Sequence, residues 1–322
     1  MSFSFKVKEE LVGVLPGARH CQIAELAALI SMCGHVYTTA GGRHYIRITS
    51  ENIGVIRKCQ QIIKKAFSSE TEITVRYNSD SGNRTYIMTV PDSDIAIKIL
   101  LSTKIMNTDG SFERDMSLVN TTGITNSCCK RAFLRGAFLA GGSISDPEKS
   151  YHLEIVASGM RKASQILDAM NVFELEGRIV ERRHYYVVYL KEGSQIVDML
   201  NVMGAFVSLM DLENVRVLKE VRNSINRKVN CETANLGKTV SAAVKQIEDI
   251  NYIKETAGLD SLSEALEEIA ELRLQYPHTA LKELGTMLTP PVGKSGVNHR
   301  LRKISEIADN LRENRRDREA KQ

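Results

Sequence analysis

The sequence predicts a duplicated α+β domain followed by an all-α domain. Two apolar helices rich in small residues are predicted at 24–34 and 131–144. Each pattern contains glycine near its C-terminal end, and residues typical of strands and turns follow. Strand signals cease near Phe206, and helical periodicity continues from there. With 322 residues, the chain can form two ordinary domains.

Composition and charge exclude several classes of protein. Hydrophobic residues make up 43% and charged residues 25%, which are ordinary values for a globular protein. No apolar run approaches the roughly 18 residues that a membrane-spanning helix needs. The start, MSFSFKVKEELVGV, is amphipathic rather than signal-like. We therefore expect a cytoplasmic protein without membrane contact.

The cysteines show no motif for a metal ion. They form neither a C-x-x-C pair nor a spacing that matches a histidine pair. The six are Cys21, Cys33, Cys59, Cys128, Cys129 and Cys231. We expect reduced, buried or inert thiols, no bound metal and no cofactor.

The first half is predicted as helix, hairpin, helix, hairpin, helix after a short helix at 7–14. The hairpin strands are predicted at 36–39, 44–49, 72–77 and 85–90, and the helices at 24–34, 52–67 and 92–101. The second hairpin is expected to turn at 79–83, and Asp92 is expected to cap the third helix.

After a polar stretch at 103–127, the same order of elements repeats. Leu26 aligns with Leu134, and with nearly the same offset strand 45–48 aligns with 152–155. Two such halves would bring eight short antiparallel strands into one shared, saddle-shaped surface. The two small-residue helices would pack against each other at its pseudo-twofold axis.

The C-terminal part reads as helices. They are predicted at 212–229, 234–256, 261–275, 280–287 and 295–311, followed by a mixed-charge tail at 312–322 that frays. The domain boundaries that we predict are 1–205 for the duplicated domain, 206–230 for a basic linker helix and 231–322 for the all-α domain.

The last two predicted helices have the layout of a helix-turn-helix, in which the second helix reads base edges in the major groove. No acidic residue lies between Glu283 and Glu306, which favours DNA as the ligand. Ser295 is also a good N-cap. The predicted groove-facing side chains are Lys294, Ser295, Asn298, His299 and Arg302, the predicted phosphate contacts are Arg300 and Lys303, and the predicted inward face is Val297, Leu301, Ile304 and Ile307. Alternatively, the basic side chains form only the solvated face of a terminal helix.

The small-residue helix resembles the LAGLIDADG motif of homing endonucleases, and the resemblance covers roughly residues 20 to 205. In those enzymes two such helices each deliver one acid to a shared metal site. The motif places Cys33 and Gly141 where those acids belong, and neither can supply a carboxylate to magnesium. Asp146 lies five residues beyond Gly141, too far to substitute. We therefore predict no nuclease activity, and a metal-dependent endonuclease is the least favoured alternative.

Three separated stretches resemble the WhiA family of bacterial sporulation and cell-division regulators. They are SFSFKVKEEL, RAFLRGAFLAGGSISDPEKSYHLEI and GKSGVNHRLRKI, and the resemblance runs over essentially the full length. It implies a degenerate LAGLIDADG domain joined to a C-terminal helix-turn-helix, with residues 293–303 as the recognition helix.

From this resemblance we expect a non-enzymatic, sequence-specific regulator of transcription that binds double-stranded DNA. It would be linked to cell division, chromosome segregation or sporulation, and associated with the nucleoid. Two alternatives remain: an architectural nucleoid protein, or a protein whose first domain docks a regulatory protein such as a sigma factor.

Overall fold

The computed structural model describes residues 2–77, 82, 84–113, 115–119 and 124–319, with side chains described as far as residue 316. The chain forms two compact units, Met1–Glu220 and Val221–Gln322. The turn predicted at 79–83 falls mostly outside the described residues. Within the ranges just given, no helix is both long enough and apolar enough to span a bilayer.

The first half of the first unit has the predicted order of elements. It comprises α1 (Phe3–Gly13), α2 (Arg19–Cys33), β1 (Gly34–Thr38), β2 (His44–Ser50), α3 (Ile53–Phe67), β3 (Glu72–Tyr77), β4 (Arg84–Val90) and α4 (Ser93–Ser102). The Asp92 carboxylate accepts from the amides of Asp94 and Ile95 at 2.9 and 3.1 Å, which confirms its predicted role as a cap. Helix α1 begins earlier than predicted because the Ser2 hydroxyl caps it through the Phe5 amide.

The second half repeats this order, which confirms the predicted duplication. It comprises α5 (Ser127–Gly141), β5 (Gly142–Ile144), β6 (Leu153–Ala157), α6 (Met160–Asn171), β7 (Arg178–Arg182), β8 (Tyr185–Leu190) and α7 (Gly193–Met203). The eight predicted strands form two antiparallel sheets of four, in the equivalent orders β1-β2-β4-β3 and β5-β6-β8-β7. Each sheet buries apolar side chains, as the cross-strand pairs Ile48–Met88 and Ile155–Val188 show.

Helices α2 and α5 pack closely, as their small residues predict. A Cβ atom built on Gly136 would lie 2.6 Å from the Glu25 carbonyl oxygen and 3.0 Å from the Ala28 Cβ. Since real Cβ atoms do not approach backbone oxygen this closely, the helices can meet here only with glycine at 136. Ala27 and Ala137 are likewise fully buried.

The break predicted between helices 212–229 and 234–256 is wrong, because a single helix, α8, runs over Phe206–Thr256. The four residues at 230–233 contain neither glycine nor proline, so nothing in the backbone chemistry ends the helix there. The boundary that we drew at residue 230 remains a prediction.

Three further helices complete the second unit after a short 3-10 turn at Leu259–Ser261. They are α9 (Glu264–Gln275), α10 (Leu281–Met287) and α11 (Lys294–Glu319). Helix α11 continues to Glu319, so its predicted end at Leu311 is wrong, whereas the fraying predicted for the tail remains a prediction. Apolar side chains from the end of α8 and from α9, α10 and α11 form one buried cluster.

Candidate nucleic-acid interface

The turn between α10 and α11 folds back onto α10. The amide of Val292 donates to the Gly285 carbonyl oxygen at 2.8 Å. A Cβ atom at Gly285 would lie only 2.0 Å from the Val292 carbonyl oxygen, so glycine is needed for this contact. The turn contains the cis peptide bond Thr289-Pro290, and the Thr289 amide donates to the Glu268 carboxylate at 2.8 Å.

Helix α11 has one buried face and one exposed face. Val297, Leu301 and Ile304 are at most 1% exposed, as predicted for the inward face, and Ala308 extends that face. Ile307 is half-buried. The predicted groove-facing residues Lys294, Ser295, Asn298, His299 and Arg302 are all exposed, together with Lys303. The spacing of 295, 299, 302 and 306 places these positions on the side of the helix opposite Val297.

Arg300 lies apart from this exposed face. Its position, three residues after Val297 and four before Ile304, places it at the edge of the buried face. The side chain is half-buried, and its Nη1 donates to the Ala265 carbonyl oxygen at 3.4 Å. The phosphate contact predicted for Arg300 remains a prediction.

The N-cap role predicted for Ser295 is wrong. Helix α11 already begins at Lys294, and the amides of Gly296 and Val297 donate to the Gly293 carbonyl oxygen at 2.9 and 3.1 Å. Ser295 therefore lies inside the first turn and presents its hydroxyl to solvent. Further along the exposed face, Arg302 Nε lies 3.5 Å from Glu306 Oε1. Both side chains are exposed, so this ion pair contributes little to the stability of the fold.

Two buried polar contacts hold the helices of the second unit in place. Asp249 is 1% exposed and lies 2.7 Å from Nη1 of Arg312, an ion pair that raises the pKa of Arg312. Arg273 donates to the Thr279 carbonyl oxygen at 2.9 Å and to Gln246 Oε1 at 3.0 Å, while burial lowers the pKa of Arg273. These contacts connect α8 to α11 and α9 to the segment before α10.

The ends of α2 and α5, where the homing endonucleases carry their acids, do not fit a magnesium ion. A Cβ at Gly141 would lie 2.7 Å from the Val156 carbonyl oxygen, so this backbone leaves no room for a carboxylate side chain. The Cys33 thiol donates a hydrogen bond to the Leu29 carbonyl oxygen at 3.1 Å. Burial raises the pKa of Cys33 to about 12, which keeps the sulfur protonated, and magnesium prefers oxygen ligands to sulfur.

Two lysines, Lys8 and Lys162, place positive charge near Cys33 at this end of the helix pair. The ammonium of Lys162 is buried and donates to the Ser31 carbonyl oxygen and the Ser158 hydroxyl. The charges of Lys8 and Lys162 both lower the pKa of Cys33, although burial outweighs them. Positive charge at this end opposes the binding of a further cation.

The basic residues of α8 fall into two groups. Arg216 pairs with Glu213 at 2.7 Å, and Lys219 donates to the Pro147 carbonyl oxygen at 2.6 Å while lying 4.9 Å from the Tyr151 ring. Arg216 therefore pairs within α8, whereas Lys219 connects α8 to residues 147–151 of the first unit. The later basic residues Arg222, Arg227 and Lys228 are exposed.

Sequence reasoning missed a cluster at the opposite ends of α2 and α5. The side chains of His20, Cys21, Cys128 and Cys129 converge, with their nitrogen and sulfur atoms all within 4.8 Å of one another. No local spacing motif reveals this cluster, because its two parts are far apart in sequence. The signal was the internal repeat, because the alignment of its two small-residue helices also superposes positions 20 and 21 on 128 and 129.

Comparison with known proteins agrees with this architecture. Residues 19–106 match the WhiA N-terminal LAGLIDADG-like domain, residues 130–222 the WhiA LAGLIDADG-like domain and residues 225–308 the WhiA C-terminal HTH domain. The crystal structure of full-length DUF199/WhiA from Thermatoga maritima is similar, with a TM-score of 0.59 and 27% identity over 96% of this chain and 99% of that chain.

Curated relatives are similar over nearly the whole length. A "Probable cell division protein WhiA" from Lachnoclostridium phytofermentans is 52% identical over 97% of this chain and 100% of the relative. The protein of the same name from Alkaliphilus oremlandii is 51% identical, covering 97% of this chain and 98% of the relative. This chain therefore belongs to the WhiA family.

Proposed function

We propose that this protein is a sequence-specific, DNA-binding regulator of transcription linked to cell division, chromosome segregation or sporulation, and that it has no nuclease activity. The observation that carries the proposal is the exposed polar face at the start of α11, formed by Ser295, Asn298, His299, Arg302 and Lys303. The opposite face of the same helix is buried, so these side chains are held on a rigid support.

The chemistry of this face suits the major groove of double-stranded DNA. Asn298 can bind adenine through two hydrogen bonds, and Arg302 can do the same with guanine. Lys294 and Lys303 supply positive charge for phosphate contacts, which makes affinity depend on salt concentration. The exposed basic residues of α8, Arg222 and Arg227 among them, could add further phosphate contacts.

The absence of nuclease activity is supported by the composition of the helix ends. Hydrolysis assisted by magnesium needs hard oxygen ligands. Cys33 and Gly141 supply none, and the charges of Lys8 and Lys162 act at this end of the helix pair. The division-related role is proposed because the relatives described above are named as probable cell division proteins.

A genome-wide binding map in the organism, combined with mobility-shift titrations of the recovered sites, tests the proposal. We expect a few sharp peaks near promoters, and an affinity for these sites that exceeds the affinity for random DNA at matched salt. Uniform coverage of the chromosome would instead support the architectural alternative.

Nuclease activity is tested by incubating supercoiled plasmid with the protein and magnesium or manganese. We expect no protein-dependent nicking. As a control, a mock preparation from cells that lack the protein shows whether any nicking arises from a contaminant. Nicking that follows the protein through purification would overturn this part of the proposal.

A further inference from the structure

We propose that His20, Cys21, Cys128 and Cys129 form a zinc site that joins the N-terminal ends of α2 and α5. Three thiolates and one imidazole are a common ligand set of structural zinc sites. The inference is independent of DNA binding, because all four residues lie in the duplicated unit.

The four side chains are already arranged around a common point. His20 Nδ1 lies 3.1 Å from Cys129 Sγ and 3.3 Å from Cys21 Sγ, and all the candidate ligand atoms lie within 4.8 Å of one another. Zinc–sulfur bonds of about 2.3 Å and zinc–nitrogen bonds of about 2.0 Å in a tetrahedron place ligand atoms roughly 3.4–3.8 Å apart. Small rotations of the side chains would therefore suffice to bind the ion.

Burial raises the pKa of Cys21 to about 12 and also raises that of Cys129, so a zinc ion must displace protons when it binds, and the backbone positions assist this step. His20 and Cys21 are the second and third residues of α2, and Cys128 and Cys129 are the second and third residues of α5. The amide groups at the start of a helix carry partial positive charge, which stabilises a thiolate in the first turn. Here two helices contribute this effect to one cluster.

The burial of two of the four side chains, and the exposure of the other two, suits a structural zinc site that the ion can reach from solvent. Cys21 and Cys129 are buried, whereas His20 and Cys128 are exposed. The buried pair anchors the ion between the helices, and the exposed pair leaves a path by which the ion can enter. Soft thiolate ligands select zinc over magnesium or calcium, which prefer oxygen.

The site lies at the opposite ends of the helix pair from Cys33 and Gly141. Each helix has 15 residues, so roughly 22 Å of helix separates the two ends. A zinc ion here would have no part in an ancestral nuclease centre. It would instead clamp the first half of the duplicated unit to the second.

The test begins with the full-length protein, purified under reducing conditions and supplied with zinc. We expect one tightly bound zinc per chain by elemental analysis. X-ray absorption should show three sulfur neighbours at about 2.3 Å and one nitrogen at about 2.0 Å. Replacement by cobalt should give the visible absorption bands of a tetrahedral thiolate site, a measurement that needs no variant.

Variants identify the ligands. Cys21→Ser combined with Cys129→Ser should abolish stoichiometric zinc, whereas Cys231→Ser, which changes an exposed cysteine on α8, should retain it. His20→Ala changes an exposed residue and should leave the fold intact. We expect it to weaken zinc binding by at least about 100-fold, because even partners outside the ligand shell are worth about 10–100-fold.

Three results would overturn the proposal. One is a wild-type protein without zinc after reduction and reconstitution. Another is stoichiometric zinc that persists in the double cysteine variant. The third is a disulfide among these cysteines that survives the reducing preparation and excludes the ion.

Discussion

The Glu25 carboxylate lies 2.6 Å from the Lys58 ammonium, and neither side chain is exposed to solvent. The second oxygen of Glu25 accepts from both Nε and Nη2 of Arg135, at 3.0 and 2.8 Å. Lys58 also donates to the Leu11 carbonyl oxygen, and Arg135 to that of Met203. The buried carboxylate of Glu25 therefore connects α2 and α5 to α1, α3 and α7.

Replacing Glu25 by alanine should destabilise the first unit strongly. The change leaves two buried cations, Lys58 and Arg135, without their counter-charge, and breaking a buried pair in this way costs about 3–5 kcal/mol. Burial already lowers the pKa of Lys58, so some of this loss can be relieved by deprotonation. Urea unfolding followed by circular dichroism measures the change.

The control for this prediction is Glu70→Ala. Glu70 pairs with Lys64 at 2.8 Å, but the two side chains are 77% and 64% exposed. An exposed pair is worth about 0–1 kcal/mol, so this variant should unfold close to the wild type. Equal losses in both variants would contradict the importance assigned to the buried network.

Local pattern predicted the duplicated elements well, because each hairpin and helix depends on alternation or periodicity within about 15 residues. Gly136 and Ala137 likewise predicted the close helix contact. Other features depend on structure that no local window contains. The helices predicted separately at 212–229 and 234–256 are one helix, and no residue at 230–233 is a glycine or proline that would end it. The His20 cluster requires the fold to unite positions from the two halves of the duplication.

Replacing Gly285 by alanine should destabilise the second unit. The new methyl group would meet the Val292 carbonyl oxygen at 2.0 Å, and the turn must shift to accommodate it. Overpacking of this kind costs about 1–3 kcal/mol. Thermal unfolding of the full-length protein measures the effect, if it is followed through the backbone amide NMR signals of residues in the second unit.

Gly293→Ala is the matched control for this change. A Cβ at Gly293 would meet nothing within 4 Å, and the residue lies in the same turn region. We expect a loss of at most about 1 kcal/mol, because Gly293 lies at the N-cap of α11 and alanine is a poorer cap than glycine. If Gly285→Ala behaves like Gly293→Ala, the close contact with Val292 is not a constraint on the turn.

Thiol reactivity should separate the cysteines with a raised pKa, Cys33 and Cys59, from the exposed Cys231. Burial raises the pKa of Cys33 to about 12 and that of Cys59 well above its ordinary value. At pH 8 both sulfurs should therefore remain protonated and react slowly with iodoacetamide, because the thiolate is the nucleophile. Cys231 is exposed and should be alkylated rapidly.

Mass mapping of the labelled peptides checks this prediction, with denatured protein as the reference for full labelling. The same sample reports on the ends of α2 and α5, because rapid labelling of native Cys33 would show an accessible thiolate there. That result would contradict the protonated state of the half-buried Cys33.

Replacing Arg302 by alanine should weaken binding to a specific DNA site by about 1–3 kcal/mol, roughly a 5- to 150-fold rise in Kd. Arg302 is 79% exposed on the polar face of α11. Its ion pair with Glu306 is weak, so it does not prevent the side chain from contacting DNA. Mobility-shift titration at fixed salt measures the change. Arg316→Ala removes an exposed charge near the C-terminal end of the same helix and should leave affinity nearly unchanged. Equal affinity of the Arg302 variant and the wild type would remove this side chain from the proposed interface.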